Sequence, residues 1–199
     1  MFRLGATAGD NMLGMNEAMV TVLVGPTAVG KGTVIARLRE RFPQVYYSVS
    51  ATTRQPRPGE VDGQHYHFID EARFDQLIDA GGMLEWATVH GLNKYGTMLA
   101  PIEQAVEDGR PVLVEVDLDG ARQIRKSLPG ARQVFIAPPT FEDLARRLES
   151  RGTEDQSERE RRLQTARVEL AAQSEFDRVI VNHTVEDCVS ELASFMGLE

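Results

Sequence analysis

The sequence predicts an α/β fold in which a mostly parallel sheet is flanked by helices. Short apolar runs rich in β-branched residues recur along the chain, and segments of helical periodicity separate them. Such alternation requires crossover connections, which make neighbouring strands parallel and cover both faces of the sheet. The predicted strands are 20–24, 112–116, 134–136 and 179–181, and the predicted helices are 120–127, 141–151, 158–173 and 186–196.

Composition places the chain among folded globular proteins, since 42% of its 199 residues are hydrophobic and 26% are charged. A net charge of −8 argues against a general nucleic-acid or anionic-membrane surface. The arginines are nevertheless clustered, so we expect an anionic substrate to bind where they gather. These arginines are Arg54, Arg57, Arg146, Arg147, Arg151, Arg159, Arg161 and Arg162.

Cys188 is the single cysteine, so no intrachain disulfide is possible. It shares a helical stripe with Val185, Val189 and Leu192, which predicts a small core residue; a reactive thiol is the alternative. Residues 1–18 lack the apolar run of a signal peptide, and no run approaches the ~20 residues of a membrane helix. We therefore expect a cytoplasmic protein with a flexible N-terminal extension at 1–18.

Residues 51–97 interrupt the strand–helix alternation and predict a small α/β lobe inserted into the core. A polar, proline-rich loop at 52–59 precedes predicted strands at 65–69 and 84–89, with a helix at 71–79 between them. A second interruption, at 139–157, joins two arginine-rich helices through a polar hinge and predicts a mobile lid. The remaining core comprises 19–50, 98–138 and 158–199.

A phosphate-binding loop is predicted directly after the first strand. The residues from Gly25 to Lys31 fit the G-x-x-x-x-G-K part of the Walker A motif, and a helical pattern follows at once. Glycines let backbone N–H groups turn toward phosphate oxygens, and the lysine reaches the outer phosphates. The sequence thus predicts a P-loop NTPase core that binds ATP through Gly25, Pro26, Thr27, Ala28, Val29, Gly30, Lys31, Gly32 and Thr33.

Gly32 occupies the position where this motif usually carries the Ser or Thr that meets Mg²⁺, and Thr33 follows. The Gly-Lys-Gly-Thr order is similar to that of adenylate kinases. Because Mg²⁺ keeps several waters and is often held by substrate phosphates, we expect a largely water-mediated metal site with no assigned protein ligand. His65 and His67 alternate along one predicted strand without a spaced partner, so we assign them no metal.

The segment from Ser48 to Phe68 resembles the signature of the guanylate kinase family. The resemblance continues in order through 84–87, 95–97, 114–117, 147–154 and 179–182, and covers roughly 20–197. One departure is the turn from Gly91 to Tyr95, which is one residue longer than is usual in the family. The resemblance implies a P-loop NTPase core with an inserted GMP-binding lobe and a helical lid.

The resemblance also implies roles for individual residues. Arg54, Arg57, Tyr66 and Tyr95 would hold the GMP phosphate, while Ser50, Glu85, Thr97 and Asp117 would recognise guanine. Guanidinium groups suit phosphate because they bind bidentately. A carboxylate accepts both donors on the Watson–Crick edge of guanine, whereas adenine turns a lone pair toward it. Alone, the 57–60 segment also fits a solvated turn with an ion pair, and 85–86 an amphipathic strand edge.

The implied catalytic cations are Lys31, Arg147, Arg151 and Arg162. Phosphoryl transfer depends on positioning and charge stabilisation, so the pattern requires no general base. The other arginines of these helices, Arg146, Arg159 and Arg161, are expected to face solvent. Asn182 resembles the family residue beside adenine, but a neighbour of a helix N-cap fits the same pattern.

The implied reaction is ATP + GMP = ADP + GDP, with dGMP as a further acceptor, in purine nucleotide metabolism. Its small molecules are ATP, GMP and Mg²⁺; we expect no nucleic-acid or membrane partner, and a monomer or homodimer. Two alternatives remain at this stage. An adenylate-kinase-like enzyme is favoured by Gly32-Thr33 alone, and a non-catalytic phosphopeptide-binding module disagrees with the intact phosphate loop.

Overall fold

The computed structural model describes residues 15–89, 91–150 and 156–199. The strands are Val20–Val24 (β1), Tyr46–Tyr47 (β2), Ala51–Thr52 (β3), His67–Phe68 (β4), Met83–Val89 (β5), Asn93–Met98 (β6), Val112–Glu115 (β7), Arg132–Ala137 (β8) and Arg178–Val181 (β9). The helices are Lys31–Arg41 (α1), Glu71–Asp79 (α2), Leu99–Glu107 (α3), Leu118–Ser127 (α4), Phe141–Ser150 (α5), Gln156–Ala171 (α6) and Val185–Met196 (α7). Short 3₁₀ turns lie at Glu17–Met19 and Gln173–Glu175.

Five parallel strands form the central sheet in the order β2-β7-β1-β8-β9. β1 lies in the middle, with Val22 opposite Val114 on one side and Gln133 on the other. All five residues of β1 are buried, as expected of a strand covered on both faces. The predicted α/β fold with a mostly parallel sheet is confirmed.

Alternate residues of β1 enter two separate cores, one on each face of the sheet. Val20, Val22 and Val24 pack with buried side chains of α3 and α4, including Ile102. Leu23 points to the opposite face, toward buried residues of α1 and α7. The strand period of two therefore divides one apolar run between two helical layers.

The second sheet is smaller and mixed, in the order β4-β3-β6-β5. β3 pairs parallel with β4, whereas β6 pairs antiparallel with both β3 and β5. α4 holds this sheet against the core: the Ser127 hydroxyl donates to the Leu84 carbonyl at 3.0 Å, and the Trp86 amide donates to Gln123 Oε1 at 3.2 Å.

Several elements of the two sheets, and the helix α3, were not predicted by the sequence pattern. β2 and β3 have two residues each, too few to show a period, and the strand predicted at 65–69 is only His67–Phe68. α3 contains Pro101, which lies in the first turn, where its missing N–H is not needed by the helix. β6 contains Gly96, where a Cβ would lie 2.6 Å from the Glu85 carbonyl oxygen, so tight strand pairing requires glycine there.

Cys188 is fully buried in the core against α1, as predicted, and burial raises its pKa to about 12. Among the described residues, no helix combines the length and the apolar character needed to cross a bilayer.

Candidate active site

The predicted phosphate loop lies between β1 and α1, where backbone geometry demands small residues. At Gly25, a Cβ would lie 2.4 Å from the carbonyl oxygen of Ile136 on β8. Gly30 caps α1 in the left-handed region with φ +103°, and Ala28 also has a positive φ of 66°. Left-handed residues between a strand and a helix are typical of loops whose amides turn toward a bound phosphate.

Three side chains brace this loop. The Lys31 ammonium donates to the Gly25 carbonyl at 2.5 Å. The Val29 carbonyl accepts from Asn182 Nδ2 at 2.8 Å and from Arg147 Nη1 at 3.0 Å. Asn182, predicted at the ATP site, and Arg147, predicted as a catalytic cation, therefore both contact the loop backbone.

Asn182 is only 3% exposed and is not the N-cap of α7. That position belongs to Thr184, whose hydroxyl accepts from the Asp187 amide at 3.2 Å. Asn182 is therefore close to the helix cap, but its side chain is bonded to the phosphate loop and takes no part in the cap. Of the other predicted ATP-site residues, Pro26 is buried, and Thr27, Gly32 and Thr33 are exposed.

A cavity of about 420 Å³ opens from the phosphate loop at the carboxyl ends of β1 and β7, where ligands bind in sheets of this kind. It is lined by residues of both sheets. The predicted site residues along its wall are Gly25, Lys31, Ser50, Tyr66, Glu85, Tyr95 and Asp117.

Glu85 supplies a buried carboxylate to this cavity, with only 9% of the residue exposed. Thr97, fully buried behind it on β6, donates its hydroxyl to Glu85 Oε1 at 2.7 Å. Burial raises the pKa of Glu85 to about 7; the Thr97 hydrogen bond opposes this increase and the nearby Asp117 charge adds to it. The second oxygen, Oε2, lies 3.2 Å from the position of a Cβ on Gly120, so the base of the cavity is closely packed.

Asp117 is the N-cap of α4, where its Oδ1 accepts from the Gly120 amide at 2.8 Å. This bond fixes the carboxylate beside Glu85 at the start of the helix. The residue that begins the crossover from β7 through α4 thus also contributes to the cavity wall.

The two arginines predicted at the acceptor phosphate differ in their surroundings. Arg54 is largely buried and donates from Nε to the Tyr95 hydroxyl at 3.1 Å. Arg57 is exposed, and within the described part of the chain its guanidinium makes no hydrogen bond or ion pair. Neither guanidinium belongs to the wall of the cavity itself.

The long turn before Tyr95 does not displace that residue. Leu92, 80% exposed, lies in the β5–β6 turn, and its amide donates to the Val89 carbonyl at 3.2 Å. Tyr95 remains paired with Ala87 on β5 and with Thr52 on β3. The additional residue is therefore accommodated outside the site.

Several cavity residues were not identified from the sequence, and three of them carry ionisable side chains near the phosphate loop: Tyr47, Glu115 and Glu169. Glu115 ends β7 and accepts from the Tyr47 hydroxyl at 3.0 Å; Lys31 Nζ lies 4.0 Å from its other oxygen. Glu169 of α6 also lines the cavity, and burial raises its pKa while Lys31 opposes that shift. Glu115 comes directly after the apolar residues of β7, at the carboxyl edge of the sheet. This position could have indicated that it belongs to the site. Tyr47 and Glu169 carry no such local signal.

The predicted lid is described only in part. Arg151 lies outside the described residues, and Arg162 is partly buried on α6. Arg146 and Arg161 are exposed as predicted, whereas Arg159 is half-exposed and pairs with Glu149 at 3.1 Å. Within the described ranges, no three His, Cys, Asp or Glu side chains gather closely enough to hold a metal ion.

Comparison with known proteins gives a consistent family assignment. A family model described as guanylate kinase matches residues 17–199. A guanylate kinase of Leifsonia xyli subsp. xyli is 62% identical over 177 residues, which cover 89% of this chain and 70% of the relative.

Further relatives agree with that match. A guanylate kinase of Mycolicibacterium paratuberculosis is 58% identical over 181 residues, covering 90% of this chain and 81% of its own. The crystal structure of guanylate kinase from Anaplasma phagocytophilum superposes with a TM-score of 0.69 at 30% identity, covering 90% of this chain and 84% of that one. With a mixed α/β fold, a braced phosphate loop and a carboxylate-lined cavity, the chain belongs to the guanylate kinase family.

Proposed function

We propose that this chain transfers the γ-phosphoryl group of ATP to GMP, giving ADP and GDP, and that it also accepts dGMP. The observation that carries the proposal is the joint presence of Lys31 and Glu85 on one cavity wall. A phosphate-binding loop alone is compatible with many kinases. A buried carboxylate facing the same cavity restricts the acceptor to a base that offers hydrogen-bond donors.

Glu85 would accept N1–H and N2–H of guanine. Its Oε1 already accepts from Thr97, which orients the carboxylate but leaves acceptor capacity on both oxygens. Ser50 and Asp117 lie on the same wall and would complete recognition of the base. Adenine would place an acceptor against Glu85 and leave a buried carboxylate without a donor, which is costly.

The acceptor phosphate would lie toward Arg54, Arg57, Tyr66 and Tyr95. The Tyr66 and Tyr95 rings meet edge to face at 5.9 Å, and both line the cavity. Their hydroxyl groups can donate to phosphate oxygens without adding charge, while the arginines supply the positive charge.

The transfer step would use Lys31, Arg147, Arg151 and Arg162 to stabilise charge on the moving phosphoryl group. Arg147 already contacts the loop backbone, so its guanidinium lies at the level where phosphates would bind. Positioning supplies most of the catalysis in this chemistry, and the lid would exclude water, the competing nucleophile. Asn182 would support the loop and lie beside adenine.

Mg²⁺ would accompany ATP and neutralise phosphate charge. We propose that phosphate oxygens and water would supply most of its ligands, as is common for Mg²⁺ bound with a nucleotide. Glu115 is the protein carboxylate best placed to hold one of its waters, beside Lys31. This arrangement agrees with the missing hydroxyl at Gly32.

We further propose that residues 51–97 act as the GMP-binding lobe and 139–157 as the lid, on a core of 19–50, 98–138 and 158–199. The product, a guanine nucleotide, places the reaction in purine nucleotide metabolism.

A coupled assay of ADP release with GMP, dGMP, AMP, CMP and UMP tests the proposed function. We expect turnover with GMP, weaker turnover with dGMP and none above background with the other three. Preference for AMP would support the adenylate-kinase-like alternative. No turnover with any acceptor, in a folded protein that binds GMP, would support the non-catalytic module.

A further inference from the structure

The guanidinium of Arg54 is held by contacts within its own loop and with Tyr95 on β6. Its guanidinium forms a two-pronged pair with Glu60, with Nη1 2.8 Å from Oε2 and Nη2 2.9 Å from Oε1. Nη1 also donates to the Gln55 carbonyl at 2.8 Å, and Nε donates to the Tyr95 hydroxyl. Four of the five guanidinium N–H groups are therefore used inside the protein.

Aromatic rings fix the plane of this guanidinium. Its central carbon lies 5.3 Å from the centre of the Tyr66 ring and 5.6 Å from that of Phe68. The side chains of Arg54 and Glu60 are only 13% and 18% exposed. An arginine that is stacked and paired in this way loses little further freedom when a ligand arrives.

Glu60 also organises the loop around Arg57. Its Oε2 accepts from the Arg57 amide at 2.6 Å, and its own amide donates to the Arg57 carbonyl at 3.0 Å. The Arg54 hydrogen bond, followed by the Arg57 backbone bond, holds the pKa of Glu60 down at about 2. Glu60 therefore remains a carboxylate at any pH at which the enzyme works.

The direction of the Arg54–Tyr95 bond decides what Tyr95 can do. Because Arg54 Nε is the donor, the Tyr95 oxygen is the acceptor, and its own proton is left to donate elsewhere. Tyr95 lines the cavity. A phosphate in that cavity could take this proton as a hydrogen bond without any rearrangement of Arg54.

We propose that Glu60 is a positioning residue for the acceptor phosphate, acting through Arg54 to orient the Tyr95 hydroxyl as a donor. This inference rests on the proposed function. It divides the two arginines by role: Arg54 is a fixed support with one N–H left, whereas Arg57 is the arginine whose guanidinium can grip the phosphate with two bonds. Glu60 itself does not touch the phosphate.

A different arrangement would give the opposite result. If Glu60 occupied the place of the phosphate on Arg54, the substrate would have to displace it, and removal of its charge would strengthen GMP binding. The sign of the change in the KM for GMP therefore decides between support and competition.

The test is Glu60→Gln, which keeps the shape and removes the charge. We expect the KM for GMP to rise about tenfold, because a charge-assisted contact is weakened. The kcat and the KM for ATP should stay within about twofold. The matched control is Glu175→Gln, which breaks the comparable two-pronged pair with Arg122 outside the cavity and should leave all three values unchanged.

A double-mutant cycle shows whether the effect passes through Tyr95. In the Tyr95→Phe background, Glu60→Gln should raise the KM for GMP by no more than about threefold. Arg54→Lys is a second variant, which keeps the charge but loses the two-pronged pair with Glu60. It should raise the KM for GMP at least as much as Glu60→Gln does.

An unchanged or lowered KM for GMP in Glu60→Gln, or a full tenfold effect in the Tyr95→Phe background, would overturn the inference while GMP turnover still supports the proposed function. Absence of GMP turnover in the unsubstituted chain would overturn both.

Discussion

The phosphate loop and the acceptor cavity share a wall but are built from different parts of the polypeptide. The loop is one contiguous segment, 25–31, and its shape depends on glycines at close approaches. The cavity presents side chains from segments far apart in the chain, from Tyr47 to Glu169.

This difference determines how each region responds to amino-acid substitution. At Gly25 and Gly30 of the loop, an added Cβ meets the Ile136 carbonyl or the Asn182 side-chain amide and has no room. In the cavity, Glu85 depends on hydrogen bonds from Thr97 and on the β5–β6 register that places the two residues side by side. We therefore expect substitutions at the crowded positions of the loop to lower turnover strongly and substitutions in the cavity to alter substrate choice.

The largest effect is expected from Lys31→Ala. Loss of the ammonium removes charge from the outer phosphates and also the bond to the Gly25 carbonyl, so kcat should fall by ~10³ or more. The control is Lys126→Ala, at an exposed lysine of α4, which should behave like the parent. Near-parental activity in a Lys31→Ala protein with an unchanged melting temperature would remove the loop from the mechanism.

Arg147→Ala should lower kcat by about 10²-fold or more while the KM for GMP changes little, because this guanidinium would meet charge that develops in transfer. Arg146→Ala alters the exposed neighbour and serves as the control. Steady-state kinetics with GMP varied at saturating ATP separate the two parameters. A rise in the KM for GMP at constant kcat would place Arg147 in substrate binding instead.

Two glycines of the loop allow the same substitution to be compared. At Gly30, a Cβ would lie 2.7 Å from Asn182 Nδ2 in a left-handed conformation, so Gly30→Ser should lower kcat/KM by ~10² and destabilise the fold by about 1–3 kcal/mol. At Gly32, no atom lies within 4 Å of the added Cβ, and Gly32→Ser should stay active. Titration of Mg²⁺ in Gly32→Ser shows whether the restored hydroxyl strengthens the metal dependence.

If Gly32→Ser is inactive but folded, phosphate approaches the backbone closely at that position. The water-mediated metal site would then need revision.

On the cavity side, Glu85→Gln should reduce kcat/KM for GMP by roughly one to two orders of magnitude, because the amide opposes one guanine donor. The ratio of kcat/KM for GMP to kcat/KM for AMP should decrease. In the parent, kcat/KM for GMP should fall as the pH drops below about 7, since Glu85 then becomes protonated. In Glu85→Gln this decrease at low pH should be absent. An unchanged preference and an unchanged pH profile would shift base recognition to Ser50, Thr97 and Asp117.

The smallest expected effect concerns stability. The pKa of Glu85 is raised to about 7 in the folded state from an ordinary 4.5, so between these pH values the folded chain binds more protons than the unfolded one. Its contribution to the free energy of unfolding therefore declines as the pH rises through this window. Relative to the parent, Glu85→Gln should gain about 2 kcal/mol between pH 5 and pH 8 in urea unfolding. If the difference in the free energy of unfolding stays constant across that range, burial does not raise the pKa of Glu85.

Much of the fold could be predicted because its signals are local. β1 at Val20–Val24 and α2 at Glu71–Asp79 have the predicted bounds, since an apolar run and an Asp70 cap mark them directly. β2 and β3 escaped prediction because two residues show no period, and Pro101 concealed the start of α3. Glu85 and Asp117 were identified through a family resemblance, whereas Glu169 was not, because nothing near it in the chain marks a site.

The sequence by itself determined the phosphate loop, the parallel sheet and the family, because each follows from short-range sterics or from contiguous motifs. Only the tertiary structure decided which oxygen of Glu85 accepts from Thr97, and that Asn182 and Arg147 brace the Val29 carbonyl. It also decided that the guanidinium of Arg54 pairs with Glu60 while that of Arg57 does not. These facts depend on strand register, burial and the direction of hydrogen bonds between distant residues. Such contacts form only once the two sheets have packed around one cavity.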